Sequence, residues 1–385
     1  MINPQSLFRI FAITTIKLPL ALTLSLTFIA AALAQSFETQ ERTLTVERVT
    51  DGLNKPWSLT FLTDDEWLVT ERGGQLRRIV DGVLQPQAIV GTPEVDAKGQ
   101  GGLLDVVPDP DYAQNGWIYL SFAASDQKLF SRSGTEVVRG RIENNQWVDE
   151  QKLFVAKPKQ RGGRHFGSRL AFDNDGYLYI SLGDRGERDT SQDGQTHAGS
   201  VIRLHANGDV PESNPFVGNK DVLNEIYSLG HRNIQGMTYD PQTDTLWTHE
   251  HGPQGGDELN SVEAGKNYGW PIITHGVNYG LGTKIGEGSA KEGYEQPATF
   301  WDPSIAPSGL ALVTSDKYPE WNGNLLVGAL KFQLLARLSL EDNVVKDEER
   351  LIEGKFGRIR DIRQGPDGYL YFLTDATNGG LYRIR

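Results

Sequence analysis

The chain has 385 residues and no cysteine, and its 50 acidic and 38 basic side chains give a formal charge of −12. This acidic balance argues against nucleic acid and anionic membrane surfaces as partners. Without disulfides, stability has to come from a hydrophobic core, from bound metal or from both. The length suits one large closed domain or two ordinary ones.

Residues 1–34 have the pattern of a cleaved export signal. Arg9 and Lys17 are their only charges, an apolar run follows Lys17, and Ala32-Leu33-Ala34 matches a small-x-small cleavage site. A membrane anchor is the alternative, but the run is short for a span and is interrupted by proline and hydroxyl residues. We expect a signal peptide, followed by a periplasmic or secreted domain over residues 35–385 without stable membrane insertion.

The exported part repeats one pattern six times. Each copy has a short apolar strand, a turn rich in Asp, Asn, Pro and Gly, and an alternating strand. The third copy is the clearest, with Leu170–Phe172, the turn Asp173-Asn-Asp-Gly176 and a strand that begins at Tyr177. Period-two alternation around Asp-Gly turns predicts β-hairpins. The six copies begin at Trp57, Leu103, Leu170, Gly236, Gly309 and Ile362.

Six such copies predict an all-β fold, a six-bladed β-propeller of four-stranded antiparallel sheets. Several copies are followed by a further strand of basic-aliphatic pattern, at 76–79, 138–142, 201–204, 335–338 and 381–384. Two stacked β-sandwiches are the alternative. The early strand over 43–49 has no hairpin partner of its own, so we expect it to complete the last blade and close the ring. Loops at one end of the channel then converge.

Three polar residues in separate loops are candidates for chemistry. Gln100 lies between glycines, where the backbone can approach a flat ligand closely. His165 is a candidate base because histidine titrates near neutral pH, with a structural histidine as the alternative. Asp184 can bond one ring nitrogen and leave the other free to take a proton.

Cations recur at the edges of later repeats. Arg232 and Asn233, in Gly230-His-Arg-Asn233, suit a carboxylate or a developing oxyanion, and a salt bridge between blades is the alternative. Lys331, Arg358 and Arg360 follow in successive repeats. Each alone is usually solvated. In so acidic a chain the three together indicate a binding site for an anionic ligand, which we call the anion clamp.

The segment between these cations also suits a hard metal ion. Gly252-Pro253 offers carbonyls, Asp257-Glu258 offers carboxylates, and Tyr268 lies in a turn that can expose its carbonyl; together these groups favour calcium. The alternative is zinc, since His249-Glu-His251 places two imidazoles on one face of a strand. A third zinc ligand at a recognised spacing is missing, and His275 is a loose candidate.

Together these residues resemble the soluble PQQ-dependent aldose sugar dehydrogenases, relatives of soluble quinoprotein glucose dehydrogenase. The likeness covers essentially the whole chain after the signal and is carried in order by the motifs at 99–103, 164–167, 182–184, 230–233, 252–253, 257–260, 265–271, 331 and 357–360. It implies a six-bladed propeller with the quinone over the channel mouth. It also implies oxidation of the anomeric carbon of aldose sugars to lactones, with electrons passed to an external acceptor.

The resemblance assigns a role to each candidate. His165 is the base, Asp184 orients it, and Arg232 stabilises the negative charge that develops. The cofactor contacts are Gln100, Arg232, Asn233, Tyr279, Ala329, Leu330, Lys331, Arg358, Ile359 and Arg360. The carbonyls of Gly252 and Pro253 hold a catalytic calcium, and Glu258 with the Tyr268 carbonyl holds a second, structural one. Compact loops between 264 and 301 leave glucose specificity open and favour a monomer or weak dimer.

Two other functions stay open on the sequence alone. Calcium-dependent lactonases also use six-bladed propellers, and some propellers only bind partners. Neither needs the cations at Lys331, Arg358 and Arg360, because neither has to hold a tricarboxylate.

Overall fold

A computed structural model describes residues 34–126 and 131–385, and within these residues the chain is almost entirely β. Residues 1–33 of the expected signal peptide lie outside this part. The helices of the described part are α1 (Tyr112–Asn115) and two short 3-10 turns, Arg188–Gln192 and Pro319–Trp321. Among the described residues, no helix has both the length and the apolar character needed to cross a membrane.

The strands in chain order are β1 (Gln35–Glu38), β2 (Thr43–Leu53), β3 (Pro56–Phe61), β4 (Glu66–Glu71), β5 (Leu76–Val80), β6 (Val83–Leu84), β7 (Leu103–Pro108), β8 (Ile118–Ser125), β9 (Ser133–Glu143), β10 (Gln146–Val155), β11 (Leu170–Phe172), β12 (Tyr177–Ser181), β13 (Val201–His205), β14 (Ile226–Ser228), β15 (Ile234–Asp240), β16 (Thr245–Glu250), β17 (Asp257–Val262), β18 (Thr299–Trp301), β19 (Pro307–Leu312), β20 (Leu325–Ala329), β21 (Leu335–Glu341), β22 (Val344–Leu351), β23 (Ile359–Gln364), β24 (Leu370–Thr374) and β25 (Gly379–Ile384).

These strands form six antiparallel sheets around one channel. Blades 1 to 5 are β3–β6, β7–β10, β11–β14, β15–β18 and β19–β22, and blade 6 contains β23–β25 with β2 and β1. The first strand of each blade contacts the first strand of the next, and β23 contacts β3, so the ring is closed. The predicted six-bladed propeller is confirmed, and the sandwich alternative is wrong.

The ring closes through the early strand, as predicted. β2 pairs with β25, for example Val46 with Ile384, so the two ends of the described chain share one sheet. One detail differs: β1 pairs with β2, so this strand does have a hairpin partner and blade 6 has five strands. β1 is too short to give a sequence signal. It is held by Phe37, whose ring meets that of Phe356 edge-on at 5.7 Å.

The hydrophobic core lies between neighbouring blades. Trp247 of blade 4 packs with Leu310 and Leu325 of blade 5, and all six residues of β19 are buried. Each such side chain contributes about 1.5–3 kcal/mol on burial. Because apolar side chains fill the spaces between sheets, the loops at the channel mouth are free to carry polar groups.

The channel itself contains a buried ion network. Arg169 is fully buried, with Nη1 at 3.0 Å from Asp361 Oδ1 and 3.6 Å from Asp105 Oδ1. Arg363 Nη2 lies 2.9 Å from the same Asp105 oxygen. Removal of one partner from such a network is costly, because it leaves a buried charge uncompensated. The network ties blades 2 and 6 to the loop that carries His165.

Candidate functional site

Loops of blades 3 and 4 surround a cavity of about 280 Å³. It brings together five of the predicted residues: His165, Asp184, Arg232, Pro253 and Tyr279. The sequence analysis did not single out the other residues of its lining, which are Arg164, Gly186, Arg188, Trp270 and Asn278. Residues more than 100 positions apart in the chain therefore meet in one polar pocket, as convergent propeller loops require.

His165 and Asp184 form a hydrogen-bonded dyad. His165 Nδ1 lies 2.5 Å from Asp184 Oδ1, and the backbone N–H of His165 donates to Gln100 Oε1 at 2.6 Å. The histidine has φ +55°, in the left-handed region. Gly183 lets the two loops meet, because a Cβ there would lie 2.3 Å from the His165 carbonyl oxygen.

The Asp184 carboxylate is fully engaged. Besides the histidine, its Oδ1 accepts the Gly186 N–H at 2.6 Å, and its Oδ2 accepts the Trp270 indole N–H at 2.9 Å. Burial is the largest single influence and opposes the ionised form, but the hydrogen bond and charge of His165, the Gly186 N–H and the charge of Arg232 together outweigh it, so the pKa of Asp184 lies below its usual range. Asp184 thus stays ionised and holds the ring of His165.

His165 is kept neutral. Burial lowers its pKa, Arg232 and Arg164 add to that effect, and Asp184 only partly opposes it. With Nδ1–H donated to Asp184, the tautomer leaves Nε2 as an acceptor. This arrangement can take a proton from a hydroxyl group near neutral pH.

Arg232 lies beside the dyad. Its carbonyl accepts the backbone N–H of Asp184 at 2.8 Å, and its Nη1 donates to the His251 carbonyl at 2.8 Å. Its own backbone N–H and that of Asn233 both donate to Glu250 Oε2, the second at 3.1 Å. Within the described chain Arg232 forms no ion pair with a carboxylate, so the salt-bridge alternative is not supported.

Two buried donors here lack partners. Arg232 Nε and Asn233 Nδ2 have no hydrogen-bond partner among residues 34–126 and 131–385. An unpaired buried donor costs about 1–3 kcal/mol. Arg232 lines the cavity and Asn233 follows it in the chain, so the two donors fit a ligand that carries carbonyl or carboxylate oxygens.

The three later cations, Lys331, Arg358 and Arg360, do not line the cavity. Lys331 is exposed, and its ammonium has no carboxylate partner in the described part of the chain. Arg358 and Arg360 both donate to Asp375 Oδ2, at 3.0 and 3.1 Å. Burial lowers the pKa of Arg360, and its Nε has no partner among the described residues. Asp375, which the sequence analysis did not foresee, therefore offsets part of this charge.

Strand β19 connects these cations with the cavity. The Pro307 carbonyl accepts His251 Nε2–H at 2.7 Å, while the Ala306 carbonyl accepts the Leu330 N–H at 3.0 Å. Ser308 Oγ donates to the Ile359 carbonyl at 2.7 Å. The segments at 329–331 and 358–360 therefore both flank the first residues of this strand.

The acidic pair predicted for calcium is divided by the fold. Asp257 and Glu258 are successive residues of strand β17, so they point to opposite faces. Asp257 accepts hydrogen bonds from the Gly252 N–H, Ser304 Oγ and the Ala306 N–H. Asp257 therefore has partners within the protein and, unlike Glu258, does not line the small cavity described next, and metal binding by either carboxylate stays a prediction.

Glu258 remains in a setting that fits a cation. It lies directly opposite Glu250 across the β16–β17 pair, and burial, followed by repulsion from Glu250, raises its pKa well above the usual value. Both acids line a cavity of about 10 Å³ together with Gly252 and Tyr268. Two carboxylates beside a cavity of atomic size suit a hard divalent ion.

The zinc alternative is not supported. The His249 and His251 Nε2 atoms donate to the Gly309 and Pro307 carbonyls, and burial lowers the pKa of His249 to about 3. His275 instead stacks on Phe300, with ring centroids 3.9 Å apart. Within the described chain, no three or more His, Cys, Asp or Glu side chains are grouped so that they could hold a metal ion.

Sequence reasoning missed Glu250, Trp270, Arg164 and Arg188. Glu250 ends strand β16 between two histidines, which drew attention to zinc. Trp270 stands in the Gly-Trp-Pro motif, but its carboxylate partner is Asp184, far away in the chain. Such contacts between residues far apart in the chain become visible only in the folded ring.

Comparison with known proteins gives concordant matches. A family model described as Glucose / Sorbosone dehydrogenase matches residues 53–383. The chain is 44% identical over 347 residues to aldose sugar dehydrogenase YliI of Escherichia coli K12, covering 89% of this chain and 93% of that protein. The apo-form crystal structure of soluble aldose sugar dehydrogenase from Escherichia coli has a TM-score of 0.86 at 43% identity, covering 89% and 99%. The PQQ-bound form of aldose sugar dehydrogenase from Streptomyces coelicolor has a TM-score of 0.74 at 27% identity, covering 89% and 98%.

Proposed function

The chain belongs to the glucose/sorbosone dehydrogenase family, a family of sugar oxidoreductases, and we propose that it oxidises aldoses with PQQ and calcium. The proposed reaction converts the anomeric C–OH of an aldose to the carbonyl of a lactone. The observation that carries the proposal is the His165–Asp184 dyad, which opens on a cavity beside the unpartnered donors of Arg232 and Asn233.

The residues around the cavity fit the cofactor chemically. PQQ is a flat tricarboxylate, and the cations Lys331, Arg358 and Arg360 flank the start of strand β19. The Pro307 carbonyl of this strand contacts His251, which in turn accepts a hydrogen bond from Arg232. Gln100, Asn233, Tyr279, Ala329, Leu330 and Ile359 are the remaining contacts that we propose. When bound, PQQ would supply the acceptor for the hydride that leaves the anomeric carbon, with calcium as a Lewis acid on its carbonyl.

The chain's own residues handle the proton. His165 Nε2 takes the proton of the anomeric hydroxyl, and Asp184 stabilises the imidazolium that results. The lowered pKa of His165 keeps this acceptor free at neutral pH. Arg232 offsets the negative charge that develops in the transition state. Arg232 thus serves both catalysis and cofactor binding.

For metal, we propose two groups of ligands. The carbonyls of Gly252 and Pro253 would hold the catalytic calcium, and Pro253 lines the large cavity. Glu258 and the Tyr268 carbonyl would hold the second calcium, where the small cavity and the raised pKa of Glu258 support a cation. Calcium would there relieve the repulsion between Glu250 and Glu258.

We further propose that residues 1–34 direct export, so that residues 35–385 act in the periplasm or outside the cell as a monomer or weak dimer. Electrons would leave to an external acceptor.

Reconstitution tests the proposal. Purified apoprotein is mixed with PQQ and calcium, and dye reduction is followed with several aldoses. We expect activity that requires both additions. Hydrolysis of lactones without dye reduction would favour a lactonase instead, and no activity of either kind would favour a binding propeller.

A further inference from the structure

The cavity beside His165 is unusually basic. Three guanidinium groups and one carboxylate line it, although the whole chain has a formal charge of −12. The carboxylate, Asp184, already accepts three hydrogen bonds. Arg232 has its role in the proposed reaction. Arg188 has no role in that reaction, and Arg164 enters it only by helping to lower the pKa of His165.

Neither arginine has a carboxylate partner. Both side chains are exposed, and neither forms an ion pair within residues 34–126 and 131–385. The rest of the chain, residues 1–33 and 127–130, contains no Asp or Glu at all. Their charge is thus available to a ligand.

Both arginines are nevertheless held in place at the cavity. Arg188 Nη1 and Nη2 each lie 3.3 Å from Asn278 Oδ1, and its guanidinium is 5.7 Å from the ring of Trp270. Arg164 lies against Gly186, where a Cβ would come within 2.2 Å of its Nε. The Arg164 carbonyl in turn accepts a hydrogen bond from Arg185.

PQQ would enter this cavity through the proposed contacts Arg232 and Tyr279, but its three carboxylates are already assigned to three other cations. The cations proposed for them, Lys331, Arg358 and Arg360, flank strand β19 and do not line this cavity. A guanidinium binds a carboxylate with a planar, two-pronged geometry. An anionic group that enters the cavity with the sugar is the ligand that remains.

We propose that Arg164 and Arg188 bind a carboxylate on the sugar itself, so that uronic acids with a free anomeric hydroxyl are the preferred substrates. This inference rests on the proposed function. His165 would take the hydroxyl proton, and bound PQQ would supply the acceptor for the hydride that leaves the anomeric carbon, so that the uronate would become an aldaric acid lactone. The sugar loses two electrons and two hydrogens, and its carboxylate is unchanged.

The test compares glucuronate, glucose and glucose 6-phosphate as substrates of protein reconstituted with PQQ and calcium. We expect kcat/KM for glucuronate to exceed that for glucose by about tenfold at low salt, and the advantage to shrink at high salt because exposed charges are screened. Arg164→Gln and Arg188→Gln should each lower the glucuronate-to-glucose ratio by about fivefold to tenfold.

Two further measurements separate the possible causes. Lys284→Gln removes an exposed cation from the loop of Asn278 without touching the cavity lining, and it should leave the glucuronate-to-glucose ratio unchanged. PQQ affinity of each apoprotein, measured by quenching of tryptophan fluorescence, should be the same in both arginine variants as in the unmodified chain.

Each other outcome overturns the inference in a recognisable way. If glucose is oxidised but the ratio is near one, or does not respond to either arginine substitution, the proposed function stands and the acidic substrate is wrong. Weakened PQQ binding would assign the arginines to the cofactor, and a preference for glucose 6-phosphate would assign them to phosphate. Inactivity towards all three sugars would remove the proposed function and this inference together.

Discussion

Replacing Trp270 by phenylalanine removes one hydrogen bond from the Asp184 carboxylate and leaves an aromatic ring in the site. The indole N–H lies 2.9 Å from Asp184 Oδ2 in a buried position. A hydrogen bond to a charged group contributes about 1.5–3 kcal/mol. Without it, Asp184 becomes a stronger acceptor for the imidazolium form of His165, and the pKa of His165 rises.

The sign and size of the effect follow directly. His165 has to be neutral to take a proton, so a raised pKa moves the acid limb of the kcat/KM profile to higher pH. If about half of the lost hydrogen-bond energy appears as extra stabilisation of the His165 imidazolium, the pKa of His165 rises by about 0.5–1 unit, since one unit corresponds to about 1.4 kcal/mol. We also expect kcat at neutral pH to fall about tenfold because the dyad is less well oriented.

The assay is the pH profile of reconstituted protein, with Trp147→Phe as the matched control. Trp147 is also buried, and its indole donates to Glu150 Oε2 at 3.0 Å, on the outer strand β10 of blade 2. The control should lose a similar hydrogen bond without a shift in the acid limb. If the acid limb of Trp270→Phe also stays in place and kcat is unchanged, the role given to Trp270 is refuted.

Three other substitutions test the remaining parts of the site. His165→Ala should abolish turnover while PQQ affinity changes little, because the base acts in the chemical step; loss of PQQ binding would make this residue part of the scaffold. Lys331→Ala should weaken PQQ binding about tenfold at low salt, whereas Lys346→Ala on the outer strand β22 should not, and equal affinities would refute the clamp. Glu258→Gln concerns stability. The pKa of Glu258 is raised in the folded protein. The calcium-free chain should therefore lose stability as the pH rises from the ordinary pKa of a glutamate to the raised pKa of Glu258, and calcium should restore the stability. The variant should lose both the pH effect and the calcium-induced rise in Tm, while Glu263→Gln keeps them; an unchanged calcium response in Glu258→Gln would remove the site.

The architecture could be predicted because it is encoded locally and repeated. Alternation such as that from Tyr177 to Ser181, next to an Asp-Gly turn, specifies a hairpin within about ten residues. The closing strand β2 was predictable because its apolar pattern needs a sheet to join. The four-residue strand β1 was not predictable, because a segment with a single apolar residue, Phe37, has no pattern that distinguishes a strand from a linker.

The site could be predicted only in part because it depends on partners from different blades. His165 and Asp184 were found from glycine-flanked loops and from the family resemblance. The separation of Asp257 from Glu258 was missed, because polar residues and nearby glycines concealed the alternation of strand β17. Likewise Asp375 meets Arg358 and Arg360 only through the pairing of β23 with β24, which places the end of one strand beside the start of the other.

A single-turnover experiment tests the central claim most directly. Apoprotein with saturating calcium is titrated with PQQ, excess aldose is added without any electron acceptor and in the absence of oxygen, and the lactone formed is counted. We expect one PQQ bound per chain and one lactone produced per bound PQQ, with none from His165→Ala. Failure of the unmodified chain to bind PQQ, or lactone yields that do not follow the amount bound, would contradict it.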